Sequence, residues 1–294
     1  MKIGIIGVGF VGGTTAEVIG RVHEVFLYDK YKGSYNSAEN ISALAKNSEI
    51  VFLCVPTPMK PNGKMDPLAV YDSLDILEKE AANAGRDLKE ILVVVRSTVV
   101  PGTTDKLSEK YSFRFAFNPE FLREKHALED MKNTKRIIIG TGNLEDFNKI
   151  KKAYEPLFPR ATYIHENPKT AETIKYCANV MLAGQISLAN ELYNICNSLG
   201  INYASVKNAI LLDERIGRNI DVPGPDGDFG FGGKCLPKDI NALIYLSREN
   251  FYRPYLLEEI VRLNEAVRRN KDWLEIPGAT SENSDFEKES KISI

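Results

Sequence analysis

The chain has 294 residues, with 38 basic against 40 acidic side chains and a formal net charge of −2 at pH 7. This length can bury at least one full hydrophobic core, and length alone favours about two domains. The charges are nearly balanced and no Lys/Arg stripe is interleaved with aromatic residues, which argues against a nucleic-acid partner.

The apolar runs in the sequence, such as residues 91–95, are far shorter than the ~20 residues that span a bilayer. The first predicted strand begins at Lys2, which leaves no room for a signal peptide. We therefore expect a soluble, cytoplasmic protein that makes no membrane contact.

The first half of the sequence alternates short β-branched runs with helical patterns. Strands separated by helices are typical of a parallel sheet with right-handed crossovers, so we predict a Rossmann-like, doubly wound α/β domain for residues 1–165. The predicted strands are Lys2 to Ile6, Glu24 to Tyr28, Ile50 to Val55, Leu92 to Arg96, Phe113 to Phe117 and Arg136 to Gly140.

The pattern changes after Ile164. Asn167 and Pro168 supply an N-cap and a first-turn proline, and no helix breaker follows before about Ser198, which predicts one long helix. We predict an all-helical central domain for residues 166–275. Residues 276–294 carry few apolar side chains and are predicted to be a disordered tail. The shorter helices of the central domain are expected at about Ala204 to Leu212, Pro237 to Glu249 and Tyr255 to Leu274.

A glycine motif follows the first predicted strand. Gly7, Gly9 and Gly12 form GxGxxG before a helix, and Asp29 closes the next strand about 20 residues on. Gly7 allows a tight turn, Gly9 lets backbone approach a pyrophosphate at the helix N-terminus, and Gly12 lets the helix pack on the strand. Asp29 would accept hydrogen bonds from the ribose hydroxyls, which favours NAD over NADP. The predicted cofactor contacts in this domain are Gly7, Gly9, Phe10, Val11, Gly12, Asp29, Lys30, Val55, Pro56, Thr57 and Thr98.

One cysteine has an unusual setting. Cys235 lies where the glycine-rich stretch from Phe229 to Gly233 runs into a predicted helix with Pro237 near its first turn. The helix N-terminus and the neighbouring Lys234 and Lys238 favour a thiolate, so we expect Cys235 to be a strong nucleophile at neutral pH.

The other three cysteines lack this setting. Cys54 ends a predicted buried strand, and Cys177 and Cys196 lie inside the long helix, where cysteine usually acts as a small hydrophobic residue. The four cysteines are far apart, with no CxxC pair and no His at metal-ligand spacing, which argues against a metal site or a disulfide framework.

Two polar pairs allow a functional and an ordinary interpretation. Lys175 and Asn179 share one face of the long helix, where they could stabilise an oxyanion; a lysine that snorkels at a domain edge is the alternative. Glu120 and Glu124 follow a strand end, where one could act as a general base. The alternative for that pair is an ordinary acidic helix N-terminus.

Seven motifs occur in a fixed order between Lys2 and about Leu274: GVGFVG, VPTP, STVVPGTT, NPEFLRE, AETIKYCAN, DERIG and GFGGKCLPKD. In this order they resemble the UDP-glucose/GDP-mannose dehydrogenase family. The resemblance implies a four-electron, NAD-dependent oxidation of the C6 alcohol of a nucleotide sugar, UDP-glucose to UDP-glucuronate, through a thiohemiacetal and a thioester on Cys235. GDP-mannose and UDP-N-acetylmannosamine are alternative substrates within the same resemblance.

The resemblance also implies catalytic roles. Cys235 would be the nucleophile, and Lys175 and Asn179 would stabilise oxyanionic intermediates. Asp239 together with Thr98 would position a water and move protons.

Further roles follow from the same resemblance. Glu120 would be the base for thioester hydrolysis, Glu124 a second acid beside the nicotinamide, and Lys238 a cofactor contact. Arg215 would reach the substrate of a neighbouring subunit, which implies a homodimer built on the long helix. The residues expected to hold the substrate are Glu120, Phe121, Leu122, Arg123, Lys175, Asn179, Arg215, Phe231 and Gly232.

Full-length members of the family carry a third domain, a second α/β unit that closes over the substrate nucleotide, whereas only a short polar stretch follows Leu274 here. Two other classes therefore stay open. One is a truncated, non-catalytic protein that binds NAD or a nucleotide sugar. The other is an ordinary two-domain hydroxyacid dehydrogenase, which needs no cysteine.

Overall fold

The computed structural model describes residues 1–283. The chain divides into two compact units. The first comprises Met1–Thr57 and Pro67–Lys175, and the second comprises Pro58–Asp66 and the chain from Tyr176 onward. The division thus falls inside the long helix, later than the predicted boundary after residue 165.

Strands and helices alternate through the first unit. The strands are β1 Lys2–Ile6, β2 Glu24–Tyr28, β3 Ile50–Leu53, β4 Leu92–Val95, β5 Arg114–Phe117, β6 Arg136–Gly140 and β7 Thr162–Glu166. The helices between them are α1 Phe10–Ile19, α2 Ala38–Asn47, α3 Leu68–Asn83, α4 Thr103–Lys110, α5 Ala127–Lys132 and α6 Leu144–Tyr154.

The seven strands of the first unit form one sheet in the order β2-β1-β3-β4-β5-β6-β7. Neighbouring strands from β2 to β5 run parallel, and so do β6 and β7, which confirms a mostly parallel, Rossmann-like sheet. The expectation that every strand is parallel is wrong at one place, because β5 and β6 pair antiparallel at Phe117 and Gly140. The segment between β5 and β6 contains α5, which packs against α1. The chain then enters β6 from the carboxyl edge of the sheet.

The central strands are buried almost throughout because helices cover both faces of the sheet. β7 was not predicted as a strand. Its residues, Thr162–Glu166, are half-buried or exposed, as on the edge of a sheet, and their polar side chains give a weak apolar signal.

A long helix, α7 Pro168–Ser198, leads into the second unit. The predicted N-cap is confirmed, since the Thr170 N–H donates to Asn167 Oδ1 at 2.8 Å. The second unit continues with α8 Tyr203–Ile210, α9 Leu236–Glu249 and α10 Tyr255–Val267. Its core consists of the buried side chains Ala183, Phe231, Ile240, Ile244 and Ile260.

The last predicted helix ends earlier than expected. α10 ends at Val267 because the Arg268 backbone is extended, and a separate 3-10 turn follows at Asp272–Leu274. The Arg268 guanidinium is buried and bonds to the Asn270 carbonyl oxygen at 2.8 Å, which favours this turn over a continued helix.

The predicted tail is wrong for residues 276–283. The Met59 N–H donates to the Ala279 oxygen at 2.9 Å, and the Ser281 N–H donates to the Met59 oxygen at 2.8 Å. Backbone pairing and small buried side chains, rather than large apolar ones, hold this segment. Residues 284–294, the rest of the predicted tail, lie outside the described residues. Within residues 1–283, no helix is both long and apolar enough to cross a membrane.

Candidate active site

The glycine turn after β1 has the geometry that its sequence predicts. Gly7 has φ +88°, and a Cβ there would lie 2.7 Å from the Cys54 oxygen. A Cβ on Gly12 would overlap the Gly7 carbonyl oxygen. Gly9 differs, because a Cβ there would have no atom within 4 Å in the described structure. Gly9 is the N-cap of α1, so open space lies at the positive end of this helix, where phosphate groups bind.

Asp29, at the end of β2, is fixed by the same turn. Its carboxylate accepts the Val8 N–H at 2.6 Å and the Tyr31 N–H at 2.9 Å, one on each oxygen. Each oxygen keeps a lone pair that can accept from a ribose hydroxyl. The glycine turn and Asp29 therefore fit a dinucleotide. Lys30, a predicted cofactor contact, forms an ion pair with Asp72 on α3 at 3.1 Å.

A crevice adjoins the first turn of α1. It has a volume of about 630 Å³, within the range of ligand sites, and its walls include Phe10, Thr14 and residues between Glu124 and Asn133. Glu124 is exposed on its wall, in the 3-10 turn Glu124–His126. The predicted acid and the predicted cofactor contact Phe10 therefore line one crevice of the first unit.

The predicted residues at the carboxyl ends of β3 and β4 also come together. The Thr57 hydroxyl donates to the Thr98 carbonyl oxygen at 2.7 Å, and the Ser97 hydroxyl donates to the Val55 oxygen at 2.7 Å. These bonds join the segment that contains Pro56 to the segment that contains Thr98, at the edge where ligands bind in open α/β sheets.

Lys175 and Glu120 form a buried ion pair in the first unit. The Lys175 Nζ donates to the Glu120 carbonyl oxygen at 2.6 Å and to its Oε1 at 3.1 Å, and both side chains are 5% exposed. The other carboxylate oxygen accepts the Leu122 N–H at 2.8 Å, and the Phe121 ring lies 5.5 Å from Nζ. The snorkelling interpretation of Lys175 is therefore wrong. Arg123 is exposed and pairs with Asp130 at 2.6 Å.

Sequence reasoning missed a buried arginine of the first unit, Arg96. The Arg96 guanidinium donates to Asn118 Oδ1 and, at 2.8 Å, to the Tyr154 hydroxyl. The only signal in the sequence is a charged residue directly after the apolar run of β4. Burial raises the pKa of the nearby Cys54 thiol to about 12, although the Arg96 charge opposes this shift. Cys54 is therefore a protonated, buried thiol, as its interpretation as a small hydrophobic residue predicts.

In the second unit, Cys235 is the N-cap residue of α9, and Pro237 lies in the first turn. The Asp239 N–H donates to the Cys235 carbonyl oxygen at 2.9 Å, which begins the helix. The half-buried cysteine thus lies at the positive end of a helix, as predicted. The other two cysteines differ from each other: Cys196 is buried, whereas Cys177 is exposed, which corrects its expected place among the apolar residues of α7.

Asp239 is the centre of a buried polar cluster in the second unit. It is 1% exposed and accepts from Asn179 Nδ2 at 2.5 Å and from the Lys238 ammonium. The structure therefore brings together Asn179 and Asp239, two of the predicted catalytic residues. Lys238, the predicted cofactor contact, forms an ion pair with Asp239 on the same helix.

Phe231 and Arg215, two predicted substrate contacts, bond to other residues of the chain in the structure. The Phe231 ring is 3% exposed in the core of the second unit, and its N–H and carbonyl oxygen both bond to Asn264, at 2.7 and 3.0 Å. The ring therefore packs inside this unit, and the substrate contact of Phe231 stays a prediction. Arg215 is 89% exposed and pairs with Asp213 at 2.5 Å, so it lies on the surface of the described chain.

Known proteins resemble both units. Residues 21–158 match the NAD binding domain of the UDP-glucose/GDP-mannose dehydrogenase family, and residues 169–266 match the family's central domain. A UDP-glucose 6-dehydrogenase of Rickettsia prowazekii is 36% identical over 226 residues, covering 75% of this chain and 50% of that protein. The chain thus spans about half the length of that relative.

Two further matches extend over more of the chain. A UDP-glucose 6-dehydrogenase of Haloferax volcanii is 32% identical over 306 residues, covering 90% of this chain and 70% of that protein. The structure of a UDP-glucose dehydrogenase from Pyrobaculum islandicum matches with a TM-score of 0.79 and 29% identity, covering 90% of this chain and 68% of that one. With the glycine turn, the cysteine loop and both family domains present in order, the chain belongs to the UDP-glucose/GDP-mannose dehydrogenase family.

Proposed function

We propose that the chain oxidises the C6 alcohol of a nucleotide sugar, with UDP-glucose as the first choice, to the carboxylate by using NAD and Cys235. The observation that carries the proposal is the place of Cys235 at the N-terminus of α9, in the same unit as the buried Asn179–Asp239 pair. A helix N-terminus favours the thiolate, and the relatives named above are UDP-glucose dehydrogenases.

A cysteine is needed because an aldehyde must become tetrahedral before a second hydride can leave. NAD supplies the hydride acceptor for both oxidations. Cys235 Sγ forms a bond to the aldehyde carbon, giving a thiohemiacetal, and loss of the second hydride leaves a thioester. Water then cleaves the C–S bond, which releases the carboxylate and returns the thiol.

The buried polar residues suit the protons and charges of these steps. Asn179 Nδ2 and the Lys175 ammonium are donors for oxyanions. Asp239 and Glu120 are acceptors for protons, and the contacts within each unit hold their carboxylates in place.

The direct test measures NADH formed by the purified chain with UDP-glucose and identifies the product by mass. We expect about two NADH for each UDP-glucuronate. Activity with GDP-mannose or UDP-N-acetylmannosamine alone would change the substrate, and bound NAD without turnover on any of the three would favour the non-catalytic alternative.

Paired glycine variants test the cofactor turn. Gly9→Ala is expected to leave the unfolding temperature unchanged, because its Cβ enters open space, while weakening NAD binding by about tenfold. Gly12→Ala is expected to cost about 1–3 kcal/mol of stability, because its Cβ overlaps the Gly7 oxygen. Thermal unfolding and calorimetric NAD titration measure both effects. Unchanged NAD affinity in Gly9→Ala would contradict a phosphate site at this helix end.

We also propose a homodimer through α7, as the resemblance implies. Large apolar side chains are exposed at a helical spacing on this helix, an arrangement that favours packing against a second helix. The exposed residues on α7 are Met181, Leu182, Leu188, Leu192 and Ile195, and the exposed Leu199 follows directly after the helix.

Leu188→Glu is expected to convert a dimer into a monomer of 32.9 kDa, because the charge would be buried in the interface. Light scattering after size-exclusion chromatography measures the mass. Leu144→Glu is the matched control, since Leu144 is 64% and Leu188 62% exposed. A dimer that survives Leu188→Glu would place the interface elsewhere.

A further inference from the structure

The glycine loop before Cys235, residues 229–233, is held by polar side chains from other parts of the second unit. Asn190 on α7 accepts the Gly230 N–H at 3.0 Å. Asn264 on α10 accepts the Phe231 N–H at 2.7 Å and donates to the Phe231 carbonyl oxygen at 3.0 Å. The backbone of the loop is thus fixed from two helices.

Asp272 holds the part of the loop nearest the thiol. Its two carboxylate oxygens each lie 3.1 Å from the Gly233 nitrogen. The buried Arg268 guanidinium lies 3.3 Å from Asp272 and donates to the Phe229 carbonyl oxygen at 3.3 Å. Because Gly233 closely precedes Cys235, the Asp272 bond limits where the cysteine backbone can lie.

The glycines of the loop allow these side chains to approach. A Cβ on Gly232 would overlap the Arg268 guanidinium and the Asp272 carboxylate. A Cβ on Gly230 would overlap Asn264 Oδ1. The glycines of the loop therefore leave room for the side chains that support it, in addition to any contact with a substrate.

The segment that carries Asp272 lies beyond residues 169–266, which match the family's central domain. After α10 the chain buries Trp273 and pairs with the stretch 58–66 through Met59. Arg268 also forms ion pairs with Asp226 at 2.7 Å and Asp228 at 3.7 Å. These contacts place the Asp272 carboxylate at a fixed point behind the loop.

We propose that Asp272, oriented by Arg268, is a positioning residue that sets the location of the Cys235 thiol through Gly233. This inference rests on the proposed function of Cys235. A misplacement of a reacting group by about 1 Å can cost about 100-fold in rate. A carboxylate accepts the Gly233 N–H in either orientation, whereas an amide in its place offers only one oxygen and loses the charge that pairs with Arg268.

The test compares Asp272→Asn with Asp226→Asn. Both remove one carboxylate that pairs with Arg268, but only Asp272 accepts the Gly233 N–H, whereas Asp226 makes no hydrogen bond to residues 230–233 within the described part of the chain. We expect Asp272→Asn to lower kcat about tenfold or more with little change in KM, and to shift the pH profile of Cys235 alkylation by iodoacetamide. Asp226→Asn should stay within about twofold of the wild type in both measurements.

Protection of the buried Cys54 and Cys196 from alkylation in the same samples is the internal reference for an intact fold. If Asp272→Asn does not fold, Arg268→Lys is measured in the same way, because lysine keeps the charge but loses the planar fork that orients Asp272. Wild-type alkylation and kcat in the folded variant, or an equal loss in Asp226→Asn, would overturn the inference. Alkylation needs no substrate, so a wild-type chain that makes no NADH overturns the proposed function separately.

Discussion

Replacing Cys235 by serine is expected to lower NADH production from UDP-glucose by roughly 10³-fold. A serine hydroxyl is a far weaker nucleophile at neutral pH than a cysteine thiolate. The aldehyde from the first oxidation would not be trapped, so the second hydride could not leave.

The measurement is initial-rate NADH absorbance together with mass analysis of the products. Residual turnover of Cys235→Ser should yield less than the full two NADH for each sugar consumed. Cys177→Ser is the matched control, since Cys177 is an exposed thiol on α7, and it should keep the wild-type rate within about twofold. Full turnover by Cys235→Ser would contradict the role of Cys235 as the nucleophile.

The fold could be predicted from the sequence where local patterns decide it. The strand-turn-helix at Gly7 to Gly12 and the cap at Asn167 depend on neighbouring residues, and both are confirmed. The direction of β6 depends on where α5 packs, and the segment 276–283 is held by backbone pairing with Met59. Neither contact leaves a periodic signal in the sequence.

The candidate site likewise has local features that the sequence predicts and distant contacts that it does not. Cys235 and its helix are local features, and the motif order identifies them. The partners that hold them come from distant positions: Asn179 and Asp239 are 60 residues apart, and Asp272 and Gly233 are 39 apart. Glu172 on α7 caps α4 by accepting the Thr104 N–H at 2.8 Å across 68 residues. Such contacts follow from the packed fold and not from spacing.

Glu120→Gln is expected to accumulate a thioester on Cys235 when substrate and NAD are added. Glutamine keeps the shape of the side chain but is a far weaker base, so hydrolysis should slow by about 10²–10⁴-fold while the oxidations continue. Intact-protein mass spectrometry after rapid acid quenching should show the adduct, and peptide mapping should place it on Cys235.

The same substitution removes the charge that pairs with the buried Lys175, which is held 3.1 Å from Glu120 Oε1. Breaking a buried ion pair by removing one of its two charges costs about 3–5 kcal/mol, so the unfolding temperature should fall as well. The double variant Glu120→Gln/Lys175→Met removes both charges and should recover much of that stability, which thermal unfolding measures without any substrate. Glu145→Gln, at a carboxylate 82% exposed in the same unit, is the control and should change neither measurement. An unmodified mass for folded Glu120→Gln, with NADH still produced, would show that another group activates the water, and Asp239 would then be the next carboxylate to replace.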